Sequence, residues 1–75
     1  MEDALERFRI SSRIICISGS EWRVVVLASP SDGGSPLQLI DEADRADDAI
    51  DVEKRLRRIM AHRLGASGHA VEMLA

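Results

Sequence analysis

The chain has 75 residues, a net charge of −3 and one cysteine. So short a chain forms one domain at most, spanning 1–75, and buries only about 60–65% of the surface its unfolded form exposes. The lone thiol, Cys16, excludes an internal disulfide and a multi-cysteine zinc site and points to the cytoplasm.

The mild charge gives no reason to expect a general nucleic-acid binder, which usually carries a basic excess. No apolar run approaches the roughly 18–20 residues of a membrane span, and MEDALERFR is too acidic for a secretory leader. Trp22 and Phe8 are the only aromatic residues, so aliphatic side chains and alanine must form the core. A protein partner or a homodimer would supply what so small a core lacks.

Residues 2–8 are expected to form one or two helical turns with Leu5 and Phe8 packed inward. Residues 9–28 then read as a β-hairpin. Ile10, Ile14, Ile15 and Ile17, followed by Trp22, Val24, Val25 and Val26, suit a pleated surface. A two-residue loop at Gly19 and Ser20, with Gly19 at positive φ, sets Ile17 opposite Trp22 and Ile15 opposite Val24. Those four side chains then share the inner face with Val26 and Ala28. The second face, with Ile14, Cys16, Arg23, Val25 and Leu27, is nearly as apolar and calls for a cover from the terminal segments or another subunit.

SPSDGGSP, residues 29–36, is a loop. LQLID, residues 37–41, fits a third strand or the first turn of a long helix. The strand is favoured, because Leu37, Leu39 and Ile40 do not continue into the later apolar stripe. A helix runs from about Asp48 to Leu64, with Ala49, Val52, Leu56, Ile59, Met60 and Leu64 on one face and Gly65 as its stop. The tail HAVEML, residues 69–74, fits a last strand or a short helix. The expected fold class is therefore α+β: an antiparallel hairpin or three-stranded sheet packed on one main C-terminal helix, with a short final strand as an option.

Residues 41–53 hold seven carboxylates, and residues 54–58 hold four bases. An EF-hand loop fails on spacing and lacks the glycine at its bend. Asp47-Asp48-Ala-Ile-Asp51 matches the DDxxD pattern that holds magnesium in prenyl-diphosphate enzymes. The second acidic motif and the large helical cavity of those enzymes exceed what this chain can supply. No metal site and no cofactor is expected.

Two readings of the charge remain. Asp41, Glu42, Asp44, Asp47 and Asp48 could meet a basic partner by mimicking a phosphate track, since residues one helical turn apart rise about 5 Å. Lys54, Arg55, Arg58 and His62 form a basic helix face that could lie along nucleic acid. Helix design accounts for much of both. Acids favour the N-terminal end and bases the C-terminal end, with Asp48 as N-cap, and Asp51–Arg55 and Glu53–Arg57 are acid-first pairs worth about 0.3–0.5 kcal/mol each.

Catalysis is not expected. Cys16 lies in an apolar strand as a buried thiol with no basic neighbour in sequence, His62 and His69 match no metal motif, and no nucleophile elbow or phosphate loop occurs. Trp22 is expected in the core. The functional expectation is a non-enzymatic protein-binding module, a small regulator or inhibitor of a nucleic-acid-handling complex of the kind that phages also encode, which uses the acidic segment. A nucleic-acid-binding accessory protein using the basic helix face is the alternative.

Overall fold

A computed structural model describes residues 7–74. Strand β1 (Arg7–Ser18), β2 (Glu21–Pro30) and β3 (Leu37–Ala43) precede helix α1 (Ala46–Ala66) and strand β4 (Ala70–Met73). They form one four-stranded sheet in the order β3-β2-β1-β4, with α1 on one face. β1 pairs antiparallel with β2, β2 antiparallel with β3, and β4 runs parallel to β1. The fold class is α+β, as the residue pattern indicates. The helical turns expected over 2–8 fall largely outside the described residues, but Arg7 and Phe8 belong to β1, where Phe8 is buried.

The core joins the inner face of the sheet to one stripe of α1. Phe8, Ile10, Val24, Val26 and Ala28 come from the sheet, and Ala49, Val52, Leu56, Met60 and Leu64 from the helix. Their spacing of two in the strands and three or four in the helix puts each set on one side. Trp22, Ile14, Leu39 and Ile59 pack partly buried at the margin. Trp22, expected in the core, packs against it from the periphery and is only partly buried.

The hairpin register differs from the one the turn suggested. Gly19 and Ser20 do form a two-residue turn, and Ser18 pairs with Glu21. Ile17 then bulges out, so that Cys16 pairs with Trp22 and Ile14 with Val24. Gly19 does not adopt positive φ, which occurs only at Gly33 and Gly68 among the described glycines. The bulge has a clear physical cause. Without it, Arg9, Ser11 and Arg13 would lie under the helix beside Val24 and Val26. With it, Phe8, Ile10 and Ile14 do, because a one-residue slip exchanges the faces of a strand. Ile15 therefore faces away from the helix.

The loop after β2 turns at Gly33 (φ 85°), whose amide donates to the Pro30 carbonyl at 3.2 Å. Residues 37–41 are strand, extended to Ala43. The helix starts two residues earlier than expected. Its N-cap is Arg45, without a side-chain capping bond, so Asp48 is not the cap but sits with Asp47 in the first turn.

Gly65 is not the stop residue either; it lies within α1. The stop is Gly68 (φ 87°), which donates to the Gly65 carbonyl at 3.0 Å, while the His69 amide donates to the Leu64 carbonyl at 3.0 Å. Those paired bonds are a Schellman ending. It turns the chain into β4 beside the start of β1.

Candidate functional site

The acidic segment does not form one surface. Asp41 and Glu42 are neighbours in β3, so their side chains leave opposite faces of the sheet. On the helix side, Asp41 accepts from Arg55 Nη2 at 3.2 Å and from the Glu42 amide at 2.8 Å. On the far side, Glu42 pairs with Arg23 at 3.5 Å. Asp44 is exposed in the β3–α1 connection, and Asp47 and Asp48 are exposed in the first helical turn, where they complement the helix dipole. Three of the five residues are thus close neighbours, and the other two are tied into the sheet.

The basic set divides as well. Lys54, Arg58 and His62 follow at four-residue steps along the solvent side of α1, all exposed. Asp47 and Asp51 continue that row toward the N-terminus. Arg55 turns to Asp41 on β3 rather than to Asp51.

Glu53 and Arg57 meet across a strand residue instead of forming the expected pair. The Ser12 hydroxyl donates to Glu53 Oε2 and accepts from Arg57 Nη1 at 2.7 Å, while Arg57 Nη2 donates to the Leu74 carbonyl. This partly buried junction ties α1 to β1 and to the end of β4. Sequence patterns do not show it, because its members lie 41 and 45 positions apart.

The thiol is not buried. Cys16 is exposed, lying on the hairpin where it runs toward its tip, and its Sγ donates to the Ser18 carbonyl at 3.3 Å. His69 stands at the other end of the sheet, edge-on to Phe8 at 5.0 Å. The two histidines and the cysteine are therefore not assembled as a catalytic group. Among the described residues, no three His, Cys, Asp or Glu side chains gather closely enough to hold a metal ion. No described helix is long and apolar enough to cross a membrane.

The sheet face opposite α1 is a further candidate surface. Its rows follow from the strand registers. Ser11 lies beside Leu27 and Gln38, Arg13 beside Val25 and Ile40, and Ile15 beside Arg23 and Glu42. Toward the other end, Arg9 pairs with Glu72 at 3.4 Å. Ile40 is 52% exposed and Ile15 is 37% exposed. A shallow depression of about 320 Å³ lies over Ser11, Arg13, Ile15, Val25 and Leu27.

No described element covers this face. Its apolar membership differs from the expected second face, since Ile15 replaces Ile14 and Cys16. Arg7 and Arg13 make no ion pair with another described residue. No protein-family model, curated protein or solved structure matches the chain.

Proposed function

We propose that this chain is a non-enzymatic protein-binding module and that its open sheet face receives the partner. One observation carries the reading. Ile15, Val25, Leu27 and Ile40 form a contiguous apolar patch that α1 leaves bare, framed by arginines. Apolar patches rimmed by charge are a mark of interaction surfaces. The partner that fits carries apolar side chains at its centre and carboxylates placed to meet Arg7 and Arg13. A regulator of a larger complex is the role that suits this size and surface. The acidic segment then contributes at most Asp44, Asp47 and Asp48, as a secondary contact.

The alternative, nucleic-acid binding through Lys54, Arg58 and His62, draws support from their exposure in one row. Asp47 and Asp51 in the same row oppose it by repelling phosphates.

Purification of the tagged chain from extract, with and without nuclease, separates the two. The proposal expects a stoichiometric protein that survives nuclease. It should be lost with Ile40→Glu or Arg13→Glu and kept with Lys54→Glu/Arg58→Glu. Nuclease-released nucleic acid, lost only with the Lys54 and Arg58 changes, would overturn the proposal.

A further inference from the structure

We propose that a second copy of this chain pairs antiparallel with the open outer edge of β1, joining two four-stranded sheets into one of eight. The edge, not the open face, carries this inference.

β1 has twelve residues, but β4 pairs only with Arg7 to Ile10. The Leu74 amide donates to the Ile10 carbonyl at 2.9 Å on the outer side, whereas the Arg7 carbonyl accepts from Ser31 on the β2 side at 2.8 Å. Backbone groups alternate sides along a strand, so those of Ser12, Ile14 and Cys16 point outward. No described strand meets them. Three amides and three carbonyls in a row form a template for another strand.

Proteins usually guard such an edge with charges, proline or a bulge. From Ser12 to Cys16 the only charge is Arg13, there is no proline, and the bulge comes later, at Ile17. Exposed apolar side chains lie near it on both layers. Ile15 and Ile17 flank the edge in the sheet, and Met73 and Leu74 stand at its closed end. Ile50 is seven residues before Arg57, hence on the same side of α1 as the groups that bond Ser12. These five belong to the seven large hydrophobic residues exposed among the described ones.

The edge is its own complement. With a two-fold axis through Ile15, Ile14 of each copy meets Cys16 of the other, and all their outward backbone groups pair. Arg13 meets Ile17 of the second copy, so no like charges oppose. A register centred one residue earlier would bring Ser18 of the second copy against Leu74. The axis runs perpendicular to the sheet, so both helices lie on one side and each Ile50 flanks the seam.

Sedimentation equilibrium and amide exchange test this. The wild-type chain should sediment at twice its 8.3 kDa mass, with the Ile14 and Cys16 amides exchanging as slowly as ladder amides. Cys16→Pro removes an outward amide and no bond to β2. It should weaken association about tenfold or more, as should Ile50→Lys, while Cys16→Ala and Ile40→Lys leave it unchanged. Should Cys16→Pro fail to fold by circular dichroism, Ile50→Lys and the wild-type exchange pattern carry the test. A monomer at all concentrations with those two amides unprotected overturns the proposal. So does a dimer dissociated by Ile40→Lys and indifferent to Ile50→Lys.

Discussion

The bulge at Ile17 makes a sharp energetic prediction about two isoleucines five positions apart. Ile10 is fully buried, opposite Ala28 and under α1, whereas Ile15 faces away from the helix and is 37% exposed. Truncating a fully buried isoleucine to alanine costs about 2–5 kcal/mol, through lost transfer free energy and the cavity left behind. Ile10 is held between two strands and a helix, which limits collapse, so Ile10→Ala should cost about 3–4 kcal/mol. A chain of this size has a stability of roughly 4–11 kcal/mol, so that loss removes a large part of it. Ile15→Ala leaves no internal cavity and should cost about 0.5–1 kcal/mol.

Urea unfolding followed by circular dichroism, at one low protein concentration so that association does not contribute, reads the difference. With a slope near 1 kcal/mol/M, the midpoint should fall by about 3 M for Ile10→Ala and by less than about 1 M for Ile15→Ala. Equal losses, or a larger loss at Ile15, would refute the bulged register.

Further outcomes follow from particular contacts. Arg57→Leu removes the bonds to Ser12 and to the Leu74 carbonyl. It should cost about 1–2 kcal/mol and accelerate amide exchange in Glu72 and Leu74, whose amides face β1, more than in Val24 and Val26. Gly65→Ala should raise the unfolding free energy by about 0.5–1 kcal/mol, read as a higher urea midpoint, because Gly65 is helical and a Cβ there meets nothing within 4 Å. Gly68→Ala should lower stability by about 1 kcal/mol, since its φ of 87° strains any side chain. Asp47→Asn with Asp48→Asn should cost about 0.5–2 kcal/mol in low salt and less in high salt, as a helix-dipole effect requires. A loss unchanged by salt would contradict that cause.

The elements were largely legible because they follow local periodicity. The hairpin, the third strand and the helical stripe from Ala49 to Leu64 all stand where hydrophobic spacing puts them. The hairpin register was also readable, yet the turn alone was misleading. Extending the unbulged pairing back to Arg9 and Arg13 buries two arginines, and Phe8 and Ile10 become exposed. The end of the helix was misread because Gly65 comes first, although Gly68 is the residue that completes the paired bonds.

The candidate sites were much less legible. The charge run from Asp41 to Arg58 looks like one feature in sequence. The fold distributes it among a strand, a connection and a helix, with Asp41, Glu42 and Arg55 spent on ties within the molecule. The bare sheet face depends on which side α1 covers, and that choice follows from the Ile17 bulge. The short reach of β4, which leaves the β1 edge open, is a fact of tertiary pairing that no local pattern contains.

The central claim, that the open sheet face receives a protein, is tested most directly by photo-crosslinking from defined positions. A photoreactive side chain replaces Ile40 on that face in one variant and Arg58 on the outer side of α1 in another, and each is irradiated in extract. The account predicts one discrete protein adduct from position 40, resistant to nuclease and absent when Arg13 is also changed to Glu. Adducts formed only from position 58 and removed by nuclease would contradict it.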